Sequence, residues 1–303
     1  MTVPGPAARG LKVDRWWALL TMSPVYFGIH CQESIPSDDT AVSSLYVKNM
    51  RDLIKKSIMD SRVEPYVRWL VKRLRGIRMP FDLVKNEIYD RQAFEVIKRV
   101  LHRSSNCVDV GCHEGAFLYQ IRKYAPLGRH FAFEPIPHLA EQLAVKFPTL
   151  EISSCALSNV SGESVFYIIP DAPALSGLSE REFLNPEKAR DVISVRTQRL
   201  DSLIPEDIKI DLIKIDVEGA EGLVILGALE IIKRDKPYII FEHGNTSSMA
   251  FGISSSDIYE LLVNCCHLKL STPRGWLYRE PPLSKERFGK SGEWSFLAFL
   301  EAA

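Results

Sequence analysis

The chain has 303 residues, of which 46% are hydrophobic and 25% are charged, values typical of a folded globular protein with a sizeable core. Its 38 basic residues balance its 38 acidic ones, so no net positive field indicates binding to nucleic acid. The six cysteines show no C-x-x-C spacing, which argues against a zinc site or a disulfide framework and favours a reduced, cytoplasmic protein.

The segment before residue 104 lacks the strand patterns found later in the chain. Residues 1–45 mix Pro, Gly, Ser and Asp without a sustained period, which predicts a weakly ordered appendage. Residues 46–103 follow a helical pattern, and fourteen Lys and Arg stand against seven Asp and Glu between positions 51 and 103. We interpret this segment as a basic helical arm packed on the core, with peripheral contact to an anionic membrane surface or substrate as the alternative.

From residue 104 to residue 303, strand and helix patterns alternate. This alternation predicts an α/β domain with a mostly parallel, doubly wound sheet. The predicted strands cover residues 107–110, 131–134, 151–155, 166–169, 192–197, 211–216, 237–241 and 294–300. The predicted helices start at residue 116 and cover residues 139–147, 220–234 and 255–265. The polar stretch 171–190 is long for a loop, so we expect it to cover a substrate site.

The segment CVDVGCHEGAF carries the most functional information. A buried strand containing Asp109 leads into a turn with Gly111 and Gly115, and a helical pattern opens at Ala116. Such a unit places backbone N–H groups and a helix dipole beside a bound ligand. The middle glycine of the dinucleotide fingerprint G-x-G-x-x-G is missing, and the acid two positions before Gly111 suits a cationic ligand such as S-adenosylmethionine. A tight turn that binds nothing is the alternative for this motif alone.

Glu134 ends the next predicted strand, in the segment FAFEP. It follows Gly111 by 23 positions, close to the ~20 expected for an acid that accepts the two ribose hydroxyls of a nucleotide cofactor. Both NAD and S-adenosylmethionine require such a carboxylate. The spacing therefore predicts nucleotide binding and leaves a nicotinamide-dependent oxidoreductase open as an alternative.

The segment IKIDVEGA places Lys214, Asp216 and Glu218 around the end of another buried strand. Ligands of doubly wound sheets bind at the carboxyl ends of the strands. We therefore expect Asp216 and Glu218 on the same rim as Asp109 and Glu134. Four converging carboxylates repel one another unless a cation or a proton neutralises them, and a cationic cofactor would offset part of that repulsion.

Six blocks of the sequence, in their order, resemble the FkbM-type methyltransferases. The blocks are DVGCHEGAF, FAFEP, ALSNVSGESVFY, VRTQRLDSLI, IDLIKIDVEGAEGLVILGA and PYIIFEHG. The resemblance covers about two thirds of the chain, from residue 106 onward. It implies a class I Rossmann-like methyltransferase fold, S-adenosylmethionine as cofactor, and O-methylation of a hydroxyl on a sugar, glycolipid or other small molecule. The family turn often has Ala-Asn where Cys112 and His113 stand here, so a degenerate binding or membrane-docking module is the alternative.

The resemblance also implies a cofactor site. Asp109, Gly111 and Gly115 would hold the methionine end, and Glu134 would hold the ribose. Ala156 and Leu157 would flank the adenine, and Asp216 would lie near the amino group or the transferred methyl. The implied cofactor-binding set is Asp109, Gly111, Cys112, His113, Gly115, Glu134, Pro135, Ala156, Leu157 and Asp216.

Methyl transfer to oxygen is an in-line displacement, for which a protein supplies alignment and a base. The candidate catalytic residues are Glu218, His243 and Asp216. His243 ends a predicted strand on the same rim, and its unperturbed pKa of ~6.5 suits a base at neutral pH. The resemblance favours Glu218, as a base or as a residue that orients the acceptor. No tight metal-ligand spacing supports a bound metal, so none is predicted.

Overall fold

The structure is a computed structural model that describes residues 81–169, 175–179 and 191–301. The predicted appendage of residues 1–45 and the arm up to residue 80 lie outside these ranges, so their roles stay predictions. The described end of the arm is helix α1 (Phe81–Val100), which packs in the same compact unit as the sheet. Among the helices that the structure describes, none is both long and apolar enough to cross a membrane.

Two sheets form the core of the described chain. The strands are β1 (Cys107–Val110), β2 (His130–Phe133), β3 (Glu151–Ser153), β4 (Ala156–Leu157), β5 (Gly162–Ile168), β6 (Asp191–Gln198), β7 (Leu212–Ile215), β8 (Tyr238–Glu242), β9 (Lys269–Ser271) and β10 (Ser295–Phe299). The main sheet has the order β3-β2-β1-β7-β8-β10-β9 and is parallel except for β10, which runs antiparallel to both neighbours. A small sheet has the order β4-β6-β5. The predicted α/β fold with a mostly parallel, doubly wound sheet is confirmed.

Helices cover both faces of the main sheet. After α1 they are α2 (Ala116–Tyr124), α3 (Pro137–Lys146), α4 (Glu221–Leu226), α5 (Leu229–Asp235), α6 (Asn245–Met249), α7 (Ser255–Tyr259), α8 (Pro273–Leu277) and α9 (Lys285–Gly289). The predicted helix over residues 255–265 is α7 followed by a π-helical turn, Glu260–Cys265. Short helices α6, α8 and α9 and strand β9 were not predicted, because each is too short to show a period.

The single helix predicted over residues 220–234 is wrong, because α4 and α5 are separated at Gly227. A Cβ on Gly227 would lie 2.1 Å from the carbonyl oxygen of Ser158. The Gly227 carbonyl accepts a 3.0 Å hydrogen bond from the N–H of Asp201, whose carboxylate in turn accepts from the N–H of Ile231 at 3.1 Å. Glycine at 227 therefore lets the loop of Ser158 pack against the break between the helices, and Asp201 accepts hydrogen bonds at the start of the second helix.

Alternation along the strands decides which residues each face of the sheet carries. One face packs against α4, α5, α7 and α9, with Val110, Ile215, Phe241 and Phe296 in its core. The other face packs against α1 and α2, with Cys107, Leu212, Ile240 and Leu297 in its core. Asp109, Lys214 and Glu242 each lie two residues beyond a member of this second set, so they belong to the face under α1 and α2. This face carries polar groups toward the carboxyl ends of its strands.

Candidate active site

A cavity of about 240 Å³ lies at the carboxyl edge of β1, β2 and β7. Of the predicted cofactor set, it is lined by Gly111, Cys112, His113, Glu134, Pro135, Ala156, Leu157 and Asp216. The candidate catalytic residue Glu218 also lines it. The structure therefore brings together all of the predicted cofactor residues except Asp109 and Gly115, which lie behind the wall.

The glycine turn after β1 requires both of its glycines. Gly111 has φ 76°, and a Cβ there would lie 1.9 Å from the carbonyl oxygen of Asp216. Gly115 has φ 80° at the start of α2, and a Cβ there would lie 2.7 Å from the ring of Phe147. Left-handed backbone is unfavourable for residues with a side chain, so glycine at both positions permits the turn and its close packing.

Glu134 is a buried carboxylate held by backbone groups. Its Oε2 accepts from the N–H of His113 at 2.9 Å, and its Oε1 accepts from the N–H of Ile136 at 3.0 Å. Burial raises the pKa of Glu134, although the hydrogen bonds from Ile136 and His113 oppose that shift. Each carboxylate oxygen has a second lone pair, so a carboxylate fixed in this way can accept one hydroxyl on each oxygen. This fits the predicted role of binding a ribose.

Cys112 and His113, where the chain departs from the usual family turn, keep the turn intact. The Cys112 thiol donates to the carbonyl of Asp109 at 3.1 Å. Burial raises the pKa of the Cys112 thiol well above its usual value, so the thiol stays a donor. His113 has φ 46° and contributes the backbone N–H that binds Glu134. Cys112 and His113 therefore take part in the hydrogen bonds that hold the turn together.

Asp109 lies beneath the turn and does not line the cavity, because its side chain points to the sheet face under α2, where Lys214 is its partner. The Nζ of Lys214 lies 3.4 Å from Oδ1 of Asp109 and 3.5 Å from Oδ2 of Asp216, and it donates to the Gly111 carbonyl at 2.7 Å. Burial acts to lower the pKa of Lys214, but the two carboxylates outweigh it and hold that pKa above its usual value. Asp109 thus acts on the site through Lys214.

The far end of the cavity is largely apolar. Ala156 and Leu157 of β4 and Phe166 of β5 form its walls. Ser176 and Leu178, from the described part of the predicted substrate loop, also line it, whereas residues 171–174 and 180–190 lie outside the described residues. The Ser176 hydroxyl accepts a 3.0 Å hydrogen bond from the N–H of Ile169, the residue that follows β5. An apolar slot of this kind fits the flat adenine ring predicted for this position.

The loop after β7 holds Asp216 and Glu218 at the cavity in a strained conformation. Glu218 has φ 60° and Gly219 has φ 110°. The loop is clamped by Glu221, whose Oε1 accepts from the N–H groups of Gly219 at 2.9 Å and Val217 at 3.3 Å. Burial raises the pKa of Glu221 to about 7. A left-handed residue other than glycine costs roughly 1–2 kcal/mol, so the surrounding contacts must support the position of Glu218.

His243 does not reach the cavity. Its ring packs beside Phe288 and Phe296, with centroid distances of 5.4 and 6.5 Å, and Nε2 lies 2.8 Å from the Ser255 hydroxyl. Burial lowers the pKa of His243 to about 4. Because successive residues of a strand face opposite sides, His243 shares the face of Phe241, and Glu242 takes the face of the site. The expectation that His243 lies on the catalytic rim is therefore wrong.

Two acids outside the predicted site residues, both with raised pKa values, lie at the site. Asp90 of α1 lines the cavity, although the residue as a whole is exposed. Partial burial of its carboxyl, with the Asp216 carboxylate adding to it, raises the pKa of Asp90 to about 6. Burial, followed by Asp216 and Glu218, raises the pKa of Glu242 to about 9. The two-residue period of β8 could have identified Glu242, whereas nothing in the helical pattern marked Asp90.

The described residues hold no arrangement of three His, Cys, Asp or Glu side chains suited to a metal ion. The cavity instead combines a glycine turn, a carboxylate held by backbone N–H groups, an apolar slot and an acidic rim. Most of the residues that the sequence resemblance implied for the cofactor therefore line one cavity. They fit a nucleoside ligand with a cationic end.

The profile of the FkbM methyltransferase domain matches residues 109–266, more than half of the chain. The chain belongs to the FkbM methyltransferase family. The 2-O-methyltransferase NoeI of Sinorhizobium fredii is 28% identical over 228 residues, covering 68% of this chain and 89% of NoeI. The antimetabolite synthetase AmbE of Pseudomonas aeruginosa is 28% identical over 269 residues, covering 73% of this chain and 12% of AmbE. The chain thus spans about an eighth of AmbE and most of NoeI.

Solved methyltransferases align with the chain only weakly. An FkbM methyltransferase from Methylobacillus flagellatus aligns with 14% identity and a TM-score of 0.41, covering 66% of this chain and 44% of that one. A fibrillarin from Aeropyrum pernix, solved with bound S-adenosylmethionine, aligns with 11% identity and a TM-score of 0.37, covering 69% and 74%. The fold is the class I Rossmann-like methyltransferase fold, and S-adenosylmethionine is the cofactor of this methyltransferase.

Proposed function

We propose that this methyltransferase modifies a hydroxyl group of a small-molecule acceptor, with a sugar or glycolipid as the preferred class. The proposal rests on a single cavity that has two kinds of lining. The half with Glu134 suits a nucleoside, and the half with Asp216 and Glu218 is lined by proton acceptors. NoeI, which is named a 2-O-methyltransferase and aligns over most of its length, supports oxygen as the methylated atom.

The residues of the first half would hold S-adenosylmethionine, which supplies a methyl group activated by its positive sulfonium. Glu134 binds the ribose hydroxyls, and Ala156 with Leu157 flanks the adenine. The turn from Gly111 to His113 lines the cavity and would lie beside the methionine end. Asp216 is one-third exposed at the cavity and contributes negative charge beside the cationic end of the cofactor. Lys214 limits that charge and fixes the Asp216 side chain in place.

We assign Glu218 as the base that removes the proton of the acceptor hydroxyl. Its loop is clamped by the hydrogen bond from Gly219 to Glu221. A Cβ on Gly177 would lie 3.6 Å from the Cβ of Glu218, so Glu218 also lies beside the described part of the predicted substrate loop. A carboxylate within hydrogen-bond reach of a hydroxyl removes its proton as the new bond to oxygen forms. His243 takes no part, because its ring lies on the opposite face of the sheet.

The experiment is a methyl-transfer assay with a panel of methyl glycosides, oligosaccharides and glycolipids. Each is incubated with the protein and isotope-labelled S-adenosylmethionine, and products are identified by mass spectrometry and NMR. The proposal predicts a methyl ether on a sugar hydroxyl and a loss of about a hundredfold in turnover for Glu218→Gln, within the range of general-base catalysis. The matched control is Glu206→Gln, on an exposed turn. Methylation of nitrogen, or no transfer by a protein that binds the cofactor, would contradict the proposal.

A further inference from the structure

A second, smaller chamber adjoins the cofactor cavity on the side of α1. It is lined by Tyr89, Asp90, Lys214, Asp216, Glu242 and Ser295, above an apolar floor that includes Ala93 and Ile240. Asp90, Phe117, Lys214 and Asp216 line both spaces, so the chamber and the cavity share a wall. The chamber has no role in holding a nucleoside, which the larger cavity already accommodates.

Strand register places two polar side chains at the bottom of the chamber. Glu242 of β8 and Ser295 of β10 are paired opposite each other in the antiparallel ladder, so their side chains emerge on the same face. Two residues further down, on the same face, Ile240 and Leu297 pack with Ala93 of α1 in the hydrophobic core. The apolar interface between α1 and the sheet therefore ends at Glu242 and Ser295, where a polar pocket begins.

Ser295 and Glu242 lack side-chain partners. Ser295 is only 4% exposed and Glu242 is half-buried, and within the part of the chain that the structure describes neither side chain forms a hydrogen bond. Neither is among the fully enclosed polar atoms without a partner, so both face the open space of the chamber. Groups in this state point to a bound polar atom that completes their hydrogen bonding.

The size of the chamber limits what it can receive. Its volume is about 20 Å³, and a space of roughly 10–15 Å³ is needed for one water-sized group. One hydroxyl fits, whereas a sugar ring does not. The rest of the acceptor must therefore extend toward the larger cavity or the solvent.

The charges around the chamber favour an uncharged group. The carboxylates of Asp90 and Asp216 flank the chamber and repel an anion. Lys214 does not offset them, because it is already engaged with Asp109, Asp216 and the Gly111 carbonyl. The raised pKa of Glu242 keeps its carboxyl protonated at neutral pH, so it donates a hydrogen bond. A hydroxyl both donates and accepts, and it can donate to Asp90 while it accepts from Glu242.

We propose that this chamber is the subsite for one uncharged hydroxyl of the methyl acceptor, held by Glu242 and Ser295 on the sheet and Asp90 on α1. The inference rests on the proposed function and narrows it. Polyols are accepted, and an acceptor with a carboxylate or phosphate at that position is excluded. The titratable and charged groups around Glu242 are Tyr89 and Asp90 of α1, Lys214 of β7, and Asp216, Glu218 and Glu221 of the following loop and helix.

The first test needs no knowledge of the acceptor. The full chain, labelled with ¹³C and saturated with S-adenosylhomocysteine, is titrated with methanol, methylammonium chloride and sodium formate. The side-chain carboxyl resonance of Glu242 is assigned by its loss in Glu242→Gln. The subsite predicts that methanol shifts this resonance, that Ser295→Ala weakens the response, and that formate has no effect. A response to methylammonium without one to methanol would overturn the hydroxyl assignment, and no response to any probe would overturn the subsite.

The second test uses the acceptor found in the methyl-transfer panel. Glu242→Ala should lower kcat/KM for the acceptor by about tenfold while leaving the Kd of S-adenosylmethionine unchanged, because one hydrogen bond to the acceptor is lost. Glu242→Gln keeps a donor and should remain within about threefold of the wild type, and unlike the wild type it should lose no acceptor affinity above pH 9. Equal damage from both variants would contradict a donor role.

The two proposals fail separately. A methanol response in a protein that methylates no hydroxyl would leave the subsite standing and overturn the proposed function. Methylation of a hydroxyl with unchanged kinetics in Glu242→Ala, and with no methanol response, would support the function and overturn the subsite.

Discussion

Lys214 and Asp109 are direct neighbours on the two central strands of the sheet, and their side chains form a buried ion pair under the glycine turn. The Lys214 Nζ lies 3.4 Å from Oδ1 of Asp109, which is fully buried. The same ammonium donates to the Gly111 carbonyl and approaches Asp216. One lysine therefore ties the turn after β1 to the end of β7, the two segments between which we propose that the cofactor binds.

Replacing Lys214 by Met would leave the Asp109 carboxylate buried without a counter-charge. We expect a loss of about 3–5 kcal/mol in the free energy of unfolding, measured by urea denaturation at pH 7.5. The exposed Lys209, which lies 3.3 Å from Asp211, provides the matched control. Lys209→Met should cost no more than about 1 kcal/mol. Similar losses of unfolding free energy in both variants would show that the buried pair contributes no more to stability than the exposed one.

A compensating change separates the charge of Asp109 from its packing. The double variant Asp109→Asn with Lys214→Met removes both charges and should recover part of the stability lost in Lys214→Met. If the two losses in unfolding free energy simply add in the double variant, Asp109 and Lys214 do not interact, and the pairing is contradicted.

The half-buried acid Glu242 makes stability depend on pH. Its pKa is about 9 in the fold and about 4.3 in an unfolded chain, so the folded state binds the proton more tightly. Its stabilising contribution is complete below pH 4 and is lost as the pH rises toward 9. Glu242→Gln cannot ionise, so its unfolding free energy should match that of the wild type near pH 4.5 and exceed it at pH 8. A difference between the two proteins that does not change with pH would refute the raised pKa.

The glycine turn provides a steric prediction. Gly111→Ala forces a Cβ to within 1.9 Å of the Asp216 carbonyl oxygen at φ 76°, so the turn must move. We expect a loss of about 1–3 kcal/mol in stability together with weaker binding of S-adenosylmethionine. Gly289, which has open space around its Cβ position, provides the control, and Gly289→Ala should change neither quantity. Normal cofactor binding by Gly111→Ala would show that the turn is not part of the site.

Much of the fold followed from the sequence because the central strands are short apolar runs bounded by glycine, acid and turn residues. The turn at Gly111 and the acid Glu134 were recognisable for the same reason, since their spacing is fixed by one strand, one helix and the next strand. The break between α4 and α5 was not predictable, because the residues that contact it, Ser158 and Asp201, are far away in the chain.

The site was harder to predict where two elements distant in sequence meet. Asp90 reaches the cavity only because α1 packs over the central strands, and no local pattern distinguishes it from a solvent-exposed acid. His243 and Glu242 differ by one position, and the choice between them depends on which face of β8 looks toward α1. Ile240 packs in the core under α1, and Glu242, two residues later in the strand, faces the same side.

The most direct test of the account is calorimetric titration of the full chain with S-adenosylmethionine, comparing the wild type with Glu134→Ala. Both oxygens of Glu134 are held by backbone N–H groups at the cavity, where each can accept one ribose hydroxyl. Losing these two charged hydrogen bonds to the ribose should weaken cofactor binding at least about a hundredfold. Glu141→Ala, on the exposed side of α3, provides the control, and thermal unfolding checks that all three proteins are folded. Wild-type binding that is abolished by Glu134→Ala alone is the predicted result. Equal affinity in the folded Glu134→Ala variant would contradict the assignment of this cavity to the cofactor.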